Sequence, residues 1–348
     1  MRCAKTIIAL QLVGLAVLGG TTAASEKPQS ANIELRAPYR QTEFSILSSN
    51  DYFRHKWDGQ HLVSSGLVAS QSNPVVVVSD RNGNIVGNAT LWFDDAEEVN
   101  VADAAVAQDG SIVLVGGARR QDGTISNFLA KMGRDGFVKS VVQTSPYVAY
   151  YVRPAPDGTV WTLGRERDSQ LRGKESAVLR QYSFEKGELI AALDSKTFQT
   201  KSAIASDVAW YVGFPGGIML GNHGKMLGFY SARSSEWITV DLSSHAIVRQ
   251  EIIPPPAKVE ITGVAYTNSG DVFSSLFAPG DRASMSGLAK LKISPTQASW
   301  VMVSGSVASS TDDSGDHPFH QLLGCSGDIL VYQTASHPST TVAWSPAP

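Results

Sequence analysis

The densest group of side chains able to do chemistry runs from Thr311 to His320. Asp312, Asp313, Asp316, His317 and His320 place three carboxylates and two imidazoles within nine residues. Carboxylate oxygens suit Ca2+, while a histidine pair with a carboxylate suits another divalent cation of the transition series. The spacing departs from a calcium loop, which sets its oxygens at alternate positions around a glycine. Pro318 also keeps His317 and His320 from lining one helical face. The competing reading is a solvated acidic loop with no cofactor at all. Arginines form the second group, at Arg119, Arg120, Arg165, Arg167, Arg172 and Arg233, with Lys174 and Lys225 among them. A planar guanidinium grips carboxylate or phosphate through paired N–H groups. These loops would therefore suit an acidic peptide, protein or glycan. Trp237, beside Arg233, is the tryptophan expected to offer a stacking face. The run Asp94-Asp95-Ala96-Glu97-Glu98 is of opposite sign, so charge is expected to be sorted around the molecule.

Other reactive signatures are missing. There is no Gly-x-Ser-x-Gly elbow, no His-Glu-x-x-His, no phosphate loop and no cysteine pair for zinc. Cys325 sits in the apolar stretch Leu322-Leu323-Gly324-Cys325 and reads as a buried, inert thiol. The chain has 348 residues, 43% hydrophobic and 18% charged, with a net charge of −3. That balance excludes a disordered chain and a basic nucleic-acid binder. Residues 1–24 read as a signal peptide. Arg2 and Lys5 precede an apolar run from Ile7 to Leu18, and Thr22-Ala23-Ala24 supplies small residues for cleavage. The run is too short to span a bilayer. Its removal takes the net charge from −3 to −5 and leaves Cys325 without a partner cysteine. Residues 25–348 are expected to form one exported domain, periplasmic or secreted, monomeric and off the membrane.

The elements that must position these residues recur along the chain. A short apolar run, a two-residue turn ending in glycine and a second apolar run appear six times. The turns are Asp58-Gly59, Asp109-Gly110, Asp157-Gly158, Gly216-Gly217, Ser269-Gly270 and Ser326-Gly327. Such dipeptides mark hairpins, because the turn needs positive φ. A second turn follows in each of the first three units, at Asn82-Gly83, Asp135-Gly136 and Lys186-Gly187. Weaker equivalents lie near Ser244 and Ser294-Pro295. Each unit therefore reads as four strands, a to d, and the repeat predicts an all-β, six-bladed β-propeller of four-stranded antiparallel blades. The sixth unit has no room for its strand d. An N-terminal strand at Asn32–Ala37 is expected to supply it and close the ring.

The stretch from Asp103 to Gly117, followed by Phe128 to Gly136, resembles NHL-type and SBBP-type repeats of bacterial extracytoplasmic propellers. The resemblance implies a fold, since such propellers include both binding modules and enzymes. In a propeller, long b–c loops and blade-to-blade crossovers share one face. Here these are Gly164 to Ser176, Gly221 to Glu236 and Val307 to Phe319, so a ligand is expected on that face. Asp103, Tyr151, Asp207, Glu260 and His320 fall near the loop-side ends of inner strands. Lactonase-type propellers hold a cation in the channel with such acids. Two functions follow as expectations: a binding module on the long-loop face, or a metal-dependent hydrolase or lyase.

Overall fold

A computed structural model of the chain describes residues 38, 40–44, 53–66, 76–166, 177–194, 214–232, 234–256, 259–277, 287–294, 297–303, 321–335 and 340–348. Among the described residues all regular structure is strand. The chain enters at β1 (Arg40–Phe44). Blade one is β2 (Phe53–Trp57), β3 (Leu62–Gly66), β4 (Val76–Ser79) and β5 (Ile85–Ala89). Blade two is β6 (Ala96–Val106), β7 (Ile112–Arg120), β8 (Ile125–Met132) and β9 (Val138–Gln143). Blade three is β10 (Tyr147–Pro154), β11 (Val160–Glu166), β12 (Ala177–Ser183) and β13 (Glu188–Asp194). Blade four is β14 (Met219–Gly221), β15 (Met226–Ser231), β16 (Glu236–Asp241) and β17 (Ile247–Ile252). Blade five is β18 (Glu260–Tyr266), β19 (Val272–Phe277), β20 (Gly287–Ile293) and β21 (Ala298–Val303). Blade six is β22 (Gln321–Ser326), β23 (Ile329–Ala335) and β24 (Thr340–Pro346), completed by β1.

Each blade is a four-stranded sheet whose strands follow in order, with antiparallel neighbours. Among the described residues six buried apolar clusters join them, one at each junction between neighbouring blades. The sixth packs Leu323, Val331 and Trp344 of blade six against Trp57 and Leu62 of blade one, which closes the ring. The molecule is thus a six-bladed β-propeller. A blade covered on both faces needs apolar residues at successive positions, not alternate ones. Ile112-Val113-Leu114-Val115 is buried throughout for this reason. The rim strand β9 is instead mostly exposed.

The closing strand does come from the N-terminal side, but as Arg40–Phe44 rather than Asn32–Ala37, which lies outside the described residues. Its fixing residues are Phe44, buried against Trp344, and Arg40, whose guanidinium lies over the Trp344 ring and donates to Arg81 O and Asn82 Oδ1. A second correction falls in blade four. Its a–b turn is Asn222-His223-Gly224-Lys225, not Gly216-Gly217. Asn222 and His223 take positive φ there, a conformation glycine usually signals. The expected long loop from Gly221 to Glu236 accordingly contains the whole of β15.

Inner strands meet in two ways. A Cβ on Gly263 would fall 2.2 Å from the Leu322 carbonyl oxygen of blade six. One on Gly324 would fall 2.6 Å from the Trp57 carbonyl oxygen of blade one. Glycine is required at both, because the backbones touch. Between blades one, two and three the contact is made by charge instead.

Candidate functional site: the central channel and its turn-side mouth

Strands β2, β6 and β10 are the innermost of blades one to three and send polar side chains into the channel. Lys56 Nζ donates to Asp103 Oδ2 at 2.7 Å, and the Val152 amide donates to the same oxygen at 2.9 Å. One carboxylate thereby links three blades. Asp103 is 1% exposed, and its Oδ1 accepts no hydrogen bond from the described residues. Arg54 lies 3.9 Å from that oxygen and stacks 4.2 Å from the Tyr151 ring centroid. Burial lowers the pKa of Lys56 despite the adjacent Asp103, and the charges of Arg153 and Arg54 act in the same direction. Burial likewise raises the Tyr151 hydroxyl.

At the end of the channel formed by the a–b turns, Arg153 Nη2 donates to the Asp58 carbonyl at 2.9 Å. The Asp58 carboxylate accepts the Gln60 and His61 amides on Oδ1 and the Val106 amide on Oδ2. Burial alone would raise its pKa. Contact with His61, the charge of Arg153 and the Gln60 and His61 amides outweigh this and hold it below the usual carboxylate range. His61 Nδ1 stands 3.6 Å from Asp58 Oδ1. Two cavities open here. The inner one, about 160 Å³, is walled by Lys56, Arg153, Tyr266, Asn268 and Cys325 together with backbone of the turns. The outer one, about 670 Å³, is walled by Asp58, His61, Asp109, Arg134 and Arg153 between blades one, two and three. Arg153 and Leu220 belong to both walls. Asp109 is bonded to Lys131, which holds its pKa down at about 2.

The residues expected from the sequence fall elsewhere. Arg119 pairs with Glu98 at 2.7 Å and Arg120 with Asp95, the residue before β6, at 2.5 Å. Arg119 and Arg120 are therefore paired with the acidic run that precedes them in the same blade. Arg165, next to last in β11, has its guanidinium 5.8 Å from the Tyr150 ring centroid. Trp237 is 1% exposed and packs edge-on to Tyr266 at 5.3 Å, so it is core and offers no stacking face. Glu260 is exposed at the start of β18. Cys325 Sγ donates to the Tyr266 carbonyl, and burial pushes the thiol up to about 11. Arg167, Arg172, Arg233, Asp207, Asp312, Asp313, Asp316, His317 and His320 lie outside the described residues. Among the described residues no group of three or more His, Cys, Asp or Glu side chains could share a metal ion.

Sequence reasoning missed Arg54, Lys56, Asp58 and Arg153. A signal was present. Phe53-Arg54-His55-Lys56-Trp57 carries three basic side chains in a strand leading into a hairpin, and an inner strand must point some of them at the channel.

No protein-family model matches the chain, and no curated protein matches it. It resembles several solved structures in outline. The periplasmic gluconolactonase of Pseudomonas aeruginosa is 11% identical, over 87% of this chain and 90% of that one, with a TM-score of 0.46. The β-propeller domain of Myceliophthora thermophila Cps50 (Swd1) is 12% identical, over 87% and 99%, also at 0.46. Hydrazine synthase of Kuenenia stuttgartiensis is 13% identical, over 90% and 79%, at 0.47.

Proposed function

We propose that this protein is an exported binding module whose ligand enters the central channel at the turn-side mouth. One observation carries the reading: two adjoining cavities of about 160 and 670 Å³ share Arg153 and Leu220 at that mouth. The outer volume falls in the range of small-molecule sites, roughly 300–1,000 Å³. The leader-like residues 1–24 support export. The lactonase-like alternative needs acidic groups converging on a cation. Asp103, one of the acids expected to serve it, is instead surrounded by Lys56, Arg54 and the Val152 amide. That donor set does not fit a divalent metal.

The test is ligand-observed NMR on the full chain with a set of small carboxylates, phosphates, amino acids and neutral sugars. Gln108 is exposed on the a–b turn of blade two and lines the outer cavity, so Gln108→Trp should block the mouth without disturbing the core. Gln60→Trp does the same from blade one. Compounds that bind should lose at least about tenfold in affinity in both variants, the equivalent of roughly 1.4 kcal/mol. Binding that survives both, or no binding from the whole set, overturns the reading.

A further inference from the structure

We infer that Arg153 anchors an oxyanion, the carboxylate or phosphate end of a small organic ligand, at the boundary between the two cavities; this rests on the turn-side mouth being the ligand site. Arg153 is the charged side chain common to both walls. A guanidinium has five N–H groups. Among the described residues Arg153 uses one of them in a hydrogen bond, from Nη2 to the Asp58 carbonyl. The Asp58 carboxylate feels the charge of Arg153 but takes none of its N–H groups in a hydrogen bond. Asp58 is engaged by three backbone amides and meets Arg153 through its main-chain oxygen.

The inner cavity is positive in character. No Asp or Glu lines it, and its ionisable walls are Lys56, Arg153, Tyr266 and Cys325. Burial raises the pKa of both the tyrosine and the thiol, so both stay neutral. Lys56 is paired with Asp103, whereas Arg153 makes no side-chain ion pair among the described residues. The protein carries net negative charge, so a cationic chamber at the centre of the ring runs against its overall balance.

Size narrows the ligand. A volume of about 160 Å³ is close to that of an engineered cavity of about 150 Å³ that takes benzene. It admits a single terminal group and not a polymer. The remainder of the ligand would lie in the outer chamber, where His61 and the Arg134 side chain stand on the walls. A planar fork binds carboxylate or phosphate better than a point charge does.

The experiment titrates the full chain with succinate, with inorganic phosphate and with neutral succinamide, by calorimetry. Binding of succinate or of phosphate, with succinamide bound at least about tenfold more weakly, is the expected result. Succinate alone identifies a carboxylate ligand, and phosphate alone identifies a phosphate ligand. Arg153→Leu should weaken oxyanion binding by about 10- to 100-fold, and Arg153→Lys by less, since it keeps the charge and loses the fork. Arg153→Lys also guards against a Leu variant that fails to fold. Arg119→Leu, on the β6–β7 hairpin, should leave affinity unchanged. Equal binding of succinamide, full affinity in Arg153→Leu, or no oxyanion binding overturns the inference. Neutral compounds that lose affinity in Gln108→Trp but not in Arg153→Leu would overturn it while leaving the mouth as the ligand site.

Discussion

Between blades one and three the inner strands meet through charge, whereas from blade three round to blade one they meet through absent side chains. In the first half Asp103 gathers Lys56 and the Val152 amide, and Arg153 reaches across to Asp58. In the second half Gly217 abuts Tyr151, Gly216 abuts Val264, Gly263 abuts Leu322 and Gly324 abuts Trp57. Close approach of a bare glycine backbone fixes distance but carries no charge. Buried ion pairs carry charge at a desolvation cost. The inner cavity lies where the halves meet, with cations from one and backbone walls from the other. The ring thus separates the task of holding its circumference from the task of presenting polar groups.

The sharpest way to break this contrast is Asp103→Ala. It strands Lys56 beside Arg54 and Arg153 and should cost about 3–5 kcal/mol in urea unfolding. The double variant Lys56→Met with Asp103→Leu removes both charges and should recover most of that loss. A double variant as unstable as the single one would show that packing, not charge, joins the first half. In the second half Gly263→Ala forces a methyl against the Leu322 carbonyl and should cost about 1–3 kcal/mol, with no dependence on pH.

A subtler test uses acid. His55 shares β2 with the channel cations, bonds to Ser64 Oγ, and is pushed by burial down to about 4. Its folded value lies below its ordinary 6.5, so the unfolded chain takes the proton first. Stability should therefore fall as pH drops from about 6.5 towards 4, and His55→Gln should flatten that part of the curve. An unchanged slope would remove His55 from the account. The smallest effect is expected at the rim. Arg119→Ala breaks a pair whose side chains are 49% and 31% exposed, and should change stability by less than about 1 kcal/mol.

Much of the architecture was legible because turn chemistry is local. Five of the six a–b turns stand where Asp-Gly or Ser-Gly marks them, since each needs a residue at positive φ next to two apolar runs. Blade four misled because Asn222 and His223 adopt that conformation without a glycine pair, while Gly216-Gly217 serves a tight approach to Val264 and Tyr151. The closing strand was sought in an apolar alternation, but Arg40-Gln41-Thr42-Glu43-Phe44 has one buried anchor and an otherwise polar face. Rim strands need no more than that. The channel was harder to read. Lys56, Asp103 and Arg153 lie far apart in sequence, and their meeting depends on ring geometry that no local pattern encodes. Trp237 was expected to offer a stacking face because it stands beside the expected long loop of blade four, yet the strand beginning at Glu236 turns it inward.

The pairing of β1 with β24 has a consequence for how the molecule is made. Phe44 lies opposite Thr340, so the two partners leave the ribosome about 300 residues apart. At roughly 5–20 residues per second that is a wait of about 15–60 s. During that interval five blades can assemble in order, each docking on the one before it. Arg40 can already reach the Arg81 carbonyl and Asn82 of blade one, but Phe44 has no Trp344 ring to pack against until the chain is nearly finished. Among the described strands the first to be synthesised is the last to find its sheet neighbour, and the ring stays open to partners or proteases until it does.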